Sequence, residues 1–519
     1  MRGWRFHVHG STAVTNILSR ERRWRLALAG SSLLAVAVPF LLVRFPPITD
    51  LPQHTAQIRL LLDVLRDPGS PYAIQWLTPY GLSYVLLGAA WALAGAANAG
   101  RLAFLLLALL WVAAVHALAA GSRRPESQPV LASILVFNHT LYWGFFSFLF
   151  GWPVFVLWLH ATEPRAVLSL RRSFALAGLA FVLYLTHALW FAFAALWLVV
   201  DGLRARLPLR SQLARGATLL PAGALAMWWF VNLQGRGFET GTFWGSSLER
   251  LSPATLTNSI LGGVTGTLEP IALAFLLGWC ALATVQAWSK WRESTDGRLL
   301  SLAMMCVVLY IVLPVKFQNT LQFGARWMPY AAVALLLALP APRFSPLARR
   351  VAALLLLTTV CMVTSVYWRT FERVDMAGFE EALEGLPQSP SVIGLSYFEQ
   401  SPLFKGLPFL QEVAYAQVHH GGTLSFSFAD YAPSLVVYQP PRQAGWTPGL
   451  RWVPQSVRRS DFAFFDFALI NGGEAVHRRF FESVGLVPLT TSGPWRLYRV
   501  PHPLVPAPAV AAPPPSPRP

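Results

Sequence analysis

No charged residue falls between positions 26 and 43. Apolar spans of similar kind recur at about 82–97, 102–120, 130–160, 174–200, 217–231, 270–287, 299–313, 328–339 and 351–366. A helix crosses a bilayer with roughly 20 consecutive apolar residues, because lipid offers no partner to a bare peptide group. Repeated spans of this length point to a polytopic helical membrane bundle. The composition agrees: 55% of the 519 residues are hydrophobic, 13% are charged, and the mean hydropathy is +0.47.

The net charge of +17 would suit nucleic acid or a membrane surface. Its distribution favours the membrane and argues against nucleic acid. Arginines cluster between the spans, in "RERRWR" (20–25), "EPRAVLSLRR" (163–172), "RARLPLRSQLAR" (204–215) and "PRFSPLARR" (342–350). Such clusters mark cytoplasmic loops. The three cysteines, Cys280, Cys306 and Cys361, form no CxxC pair, so neither a disulfide framework nor a thiolate metal site is expected. The basic N-terminal segment leads into a full-length span rather than a cleavable signal peptide.

Two spans are broken. Span 130–160 is interrupted at "FNHTLYWG" (137–144), and 174–200 at "LTHA" (185–188). Basic clusters flank both. If every cluster faces the cytoplasm, each broken span is a hairpin with a histidine, His139 or His187, at its far apex. The loops 234–269 and 316–326 then lie outside, and so does everything after Arg369. One segment conflicts: two simple crossings after the first loop would put "GSRRPESQ" (121–128) outside, against its charge. The expected total is ten to twelve crossings.

These patterns define three regions: a transmembrane domain, 1–368, with a first outside loop at 44–78; a small soluble α/β domain outside the membrane, 369–500; and a disordered Pro/Ala-rich tail, 501–519. In the second, "MAGFEEALEGL" (376–386) reads as a helix, and "SVIGLSY" (391–397), "SLVVYQ" (434–439), "FAFFDFALING" (462–472) and "PWRLYRV" (494–500) read as strands. The chain is mainly α.

No soluble-enzyme fingerprint is present, neither a P-loop, GxSxG, HExxH nor GxGxxG. Function must rest on polar residues at the membrane boundary. Asp50, in "PPITDLPQHTAQ" (46–57), is stiffened by neighbouring prolines. It reads either as the N-cap of an interfacial helix or as a general base beside a low-dielectric surface. His54, one helical turn on, could share its proton, orient a phosphate or help hold a metal, or simply be a solvated interfacial histidine. His139 and His187 either line a cavity or cap broken helices. Three histidines and a carboxylate leave zinc open. Lys316 and Arg326 bracket a polar loop and either clamp a lipid-linked phosphate or anchor the interface by snorkelling. Acids are confined to loops and span ends, which argues against an ion-coupled carrier.

These elements, with "NHTLYWGFFSFLFG" (138–151), "AYAQVHHGG" (414–422) and "GPWRLYRV" (493–500), resemble the GT-C superfamily of membrane glycosyltransferases, in a poorly characterised bacterial branch. The resemblance implies an inverting enzyme on the outer face of the bacterial cytoplasmic membrane. Its donor would be a polyprenyl-phosphate sugar and its acceptor a hydroxyl of a glycan, lipid or protein. Asp50 takes the place of the first-loop acid, Lys316 or Arg326 meets the donor phosphate, and His54, His139 and His187 line the pocket. Many members carry a second acid beside the first. Here Leu51 and Pro52 follow Asp50, so a divalent metal is left open and no cofactor is assigned. The alternative is a non-catalytic carrier or assembly partner for lipid-linked glycans.

Overall fold

The computed structural model describes residues 11–67, 69–234, 241–318, 320–398 and 400–502. The expected disordered tail lies almost wholly outside them. The chain packs into two compact units. One comprises Met1–Arg44, Pro79–Ser83 and Leu102–Trp368; the other comprises Phe45–Thr78, Tyr84–Arg101 and Arg369–Pro519. The second unit's last segment begins at Arg369. The loop 45–78, which the sequence assigned to the membrane region, groups with that segment instead.

The first unit is helical. It opens with α1 (Ser11–Leu42); α2 (Leu51–Arg66) and most of α3 (Gly81–Ala94) belong to the second unit, and the first continues through most of α4 (Ala96–Gly121) and through α5 (Ser127–Ser133), α6 (His139–Tyr142), α7 (Phe146–Ala161), α8 (Leu170–Thr186) and α9 (Ala188–Arg204). Among the described residues, Glu21–Leu42, Ala96–Gly121, Leu268–Ser294 and Pro346–Asp375 are long and apolar enough to cross a bilayer. The bent pair Leu209–Ala217 and Leu220–Leu233 adds a fifth if it counts as one span. Other apolar segments form shorter helices, among them Gly297–Val312 and Ala325–Ala338.

Arginine seals the helix ends on one face of this unit. A helix leaves its last carbonyls without partners, and cations are favoured there. Arg124 donates to the carbonyls of Ser294 (3.3 Å), Ala338 (2.9 Å) and Leu339 (2.5 Å). Arg172 donates to the carbonyl of Ala161, the last residue of α7. Arg215 donates to the carbonyls of Thr162, Glu163, Pro164 and Ala166. Buried Asp201 binds Arg204 at 2.8 Å and Arg298 at 2.9 Å, and Arg298 also reaches Glu163. Arg350 pairs with Glu126 at 3.2 Å and lies over the Trp24 ring. The basic clusters thus share one face, and 121–128 belongs to it.

That placement removes the conflict over "GSRRPESQ". α3 has 14 residues, about 21 Å, which is short of a hydrocarbon core of about 30 Å. α4 has 26, about 39 Å. Only one of the two expected crossings between the first loop and Gly121 is long enough to span. Both broken segments are hairpins that start and finish on the basic face. At the first apex, Asn138 accepts from the backbone N–H groups of Thr140 (2.8 Å) and Leu141 (3.3 Å) and donates to the Leu135 carbonyl. At the second, extended His187 ends α8 and starts α9, and its Nδ1 accepts from the Leu189 N–H at 3.1 Å.

The described residues also form short strands: β1 (Tyr72–Ile74), β2 (Thr242–Phe243), β3 (Lys316–Phe317), β4 (Ser391–Ser396), β5 (Thr423–Leu424), β6 (Val436–Tyr438), β7 (Phe467–Asn471), β8 (Val487–Pro488) and β9 (Trp495–Arg499). A five-stranded sheet of order β5-β4-β7-β9-β8 forms the core of the second unit. β4 runs parallel to β5 and β7, while β9 is antiparallel to β7 and β8. Ile393, Leu395, Ala468, Ile470, Phe480 and Tyr498 fill one side. Two readings change. The first half of "FAFFDFALING" is a 3₁₀ turn, Arg459–Phe464, with the strand beginning at Phe467. β6 does not join this sheet; it pairs antiparallel with β1, Tyr72 opposite Tyr438.

Arg124→Gln is expected to remove the charged donor shared by the Ser294, Ala338 and Leu339 carbonyls, the last two of which keep bonds from the Asp296 N–H and the Gln128 amide. The loss is about 2–4 kcal/mol of stability, read as a lower thermal unfolding midpoint of the protein in detergent.

Candidate active site

In the first unit the two hairpin apexes meet the segment that carries Arg326. This buried residue lies in the turn Ala325–Trp327. Its Nε and Nη2 donate to the Leu321 carbonyl at 3.1 and 2.9 Å. Its guanidinium stands 3.6 Å from the Phe145 ring centroid and 5.5 Å from that of Phe148, a cation–π arrangement. His139, His187 and Tyr80 all lie within its electrostatic reach. The structure therefore brings three of the expected residues, His139, His187 and Arg326, into one neighbourhood.

Aromatic rings build the walls. Trp327 stacks on Phe193 at 4.4 Å and meets Trp190 and Phe148 edge-on at 5.2 Å each. The Trp190 indole N–H donates to the Phe148 carbonyl at 2.7 Å. Gly151 lets that indole approach, since a Cβ there would stand 1.8 Å from Trp190 Cδ1. His187 has Tyr80 at 5.1 Å and Phe148 at 5.3 Å, both edge-on. His139 is buried, and among the described residues neither of its ring nitrogens has a hydrogen-bond partner. His187 caps α9 through its Nδ1, the helix-cap reading of that residue. Lys316 sits on the β2–β3 ribbon, with Lys316 opposite Phe243. Among the described residues no side-chain hydrogen bond or ion pair ties it to Arg326.

The second unit positions Asp50 and His54. Asp50 holds the N-cap position of α2, yet its carboxylate makes no capping bond to the helix. Its backbone, at φ −91° and ψ 0°, lies in the bridge region that many active-site residues occupy. Two glutamines one turn apart fasten α2. The Gln53 amide donates to Gln411 Oε1 (3.0 Å) and the Phe426 carbonyl (3.3 Å), and accepts from the Phe428 N–H (2.8 Å). Gln57 exchanges a pair of bonds with the Val436 backbone. α2 is thus docked on the C-terminal segment. His54 Nδ1 lies 3.0 Å from the Tyr84 hydroxyl, and its ring meets Phe428 edge-on at 5.2 Å. The hydroxyl of Tyr84 is therefore the partner of its imidazole.

Among the described residues no three His, Cys, Asp or Glu side chains converge as a metal-holding group. The combination of three histidines with a carboxylate is not assembled. The sequence reading missed Tyr80, Tyr84, Trp190 and Trp327. The dense aromatic run "WGFFSFLFGW" (143–152) was the one available signal for the walls.

This architecture, a bundle of apolar helices with a C-terminal α/β segment, is shared in fold with solved structures of another protein. The likeness is to ArnT of Cupriavidus metallidurans, solved bound to undecaprenyl phosphate (TM-score 0.51, 12% identity, 93% of this chain and 98% of that one). The apo form of the same protein aligns equally well (TM-score 0.50, 12% identity, 94% and 98%). No family model and no curated protein sequence matches.

Glu412 of the second unit is fully buried, and its Oε2 has no hydrogen-bond partner. Burial pushes its carboxyl well above the usual carboxylate range. The folded protein then holds a proton that the unfolded chain releases, so stability falls as pH rises from the ordinary glutamate range towards the folded value. Glu412→Gln should flatten that slope and raise the unfolding midpoint at neutral pH, measured by thermal scans across pH.

Proposed function

We propose that the protein moves a sugar from a polyprenyl-phosphate donor to an acceptor hydroxyl at the outer face of the bacterial cytoplasmic membrane. The end-to-end fold likeness to ArnT, solved with undecaprenyl phosphate, carries this reading. The buried Arg326 guanidinium among aromatic rings, beside His139 and His187, supports it.

Asp50 is the general base. It takes the acceptor hydroxyl's proton as that oxygen bonds to the anomeric carbon from the face opposite the phosphate. The bond from the anomeric carbon to the phosphate oxygen breaks, and polyprenyl phosphate leaves with the electron pair. Arg326 stabilises the charge that develops on this phosphate, and a fixed cation among apolar rings acts there more strongly than in water. His139 and His187 line the donor side, Lys316 steers the headgroup, and His54, held by Tyr84, sets the wall beside Asp50.

In cells lacking the endogenous gene, restored wild-type protein should return one sugar modification of the envelope, read by mass spectrometry of its glycans. Asp50→Asn should lower its formation by roughly 10²-fold or more, the usual contribution of a general base, with the amount of protein in the membrane unchanged. Arg326→Gln should weaken use of the lipid donor by about 10–100-fold, the loss of a charged hydrogen bond. Full activity of Asp50→Asn would favour the carrier or assembly role.

A further inference from the structure

A cavity of about 230 Å³ opens at the basic face of the first unit, between α1, α4 and the start of α5. Arg25, Leu26 and Ala29 line it from α1, His116 and Ala117 from α4, and Glu126 from the connection to α5. α1 and α4 both have the length and hydropathy of membrane-crossing helices. Leu26 is 65% exposed, and Ala117 is exposed too, so the cavity is open on a side that a bilayer covers.

Its polar groups are unequally engaged. Glu126 is bound to Arg350. Arg25 is half-buried and, among the described residues, makes neither a hydrogen bond nor an ion pair. His116 Nε2 is buried without a hydrogen-bond partner. What remains is the Arg25 cation at the lip and, buried behind it, an imidazole nitrogen with no hydrogen-bond partner among the described residues, in a slot otherwise lined by leucine, alanine and proline.

We propose that this slot binds an anionic phospholipid. Arg25 and His116 hold the phosphate, and an acyl chain lies along Leu26, Ala29 and Ala117. The apolar lining argues for a lipid over free phosphate, because it gives nothing to an inorganic ion. Basic pockets between transmembrane helices are where such headgroups bind. The site is separate from the Arg326 cluster and does not rest on the proposed reaction.

The test uses the full-length protein in phosphatidylcholine nanodiscs, titrated with phosphatidylglycerol and read by native mass spectrometry. Wild-type protein should retain phosphatidylglycerol in preference to phosphatidylcholine. Arg25→Gln should weaken retention about fivefold, the effect of one cation near a lipid headgroup. His116→Gln should act in the same direction. Ala117→Trp, which fills the apolar part and keeps both polar groups, should also expel the lipid. Equal retention of the two lipids would overturn the proposal. So would unchanged binding in both Arg25→Gln and Ala117→Trp, or displacement of the lipid by inorganic phosphate alone.

Discussion

The first unit depends on arginine donating to the carbonyl ends of its helices. A helix that stops at a membrane surface leaves acceptors which neither lipid nor a neighbouring helix satisfies. Arg124 bridges the ends of Trp291–Ser294 and Met328–Ala338, and Arg298 ties α7 to α9 through the Leu159 carbonyl and Asp201. Several short helices are pinned at one end in this way. Their other ends, at His139, His187 and Arg326, are then set by helix length. The location of the aromatic cluster follows from where the arginines hold the bundle.

The same residues explain why the basic clusters carry so much topological information. Their charges satisfy the positive-inside pattern, and their forks supply the multiple donors that frayed helix ends need. Lysine, a compact point charge, would serve the first role and not the second. The chain is correspondingly arginine-rich at these positions, with Lys290 the lysine of that face's clusters.

The helical spans, the two hairpins with histidine apexes, and strands β4, β7 and β9 were legible because each is a local pattern: hydropathy, charge at turns, or a run of β-formers. The neighbourhood of His139, His187 and Arg326 was legible in part, through polar residues at breaks in apolar runs. The pairing of β1 with β6 was not, nor was the docking of α2. Both join residues hundreds of positions apart, and strand periodicity names no partner. α3 misled for a related reason: its hydropathy matched a span, while its length fell short. Tyr84 as the partner of His54 was hidden too, since a hydroxyl has no periodic signature.

The glutamine clasp on α2 gives the chain a long wait during synthesis. Gln53 and Gln411 are 358 positions apart. The loop bearing Asp50 therefore leaves the ribosome long before the backbone groups that will fasten it exist. Until the last segment is made, this helix has a buried face with nothing to bury it against. Loop closure over that distance costs little more than over a short one, because the entropy grows only logarithmically. The delay is one of order, not of energy: the candidate base reaches its final setting only when the far end of the protein has folded around it.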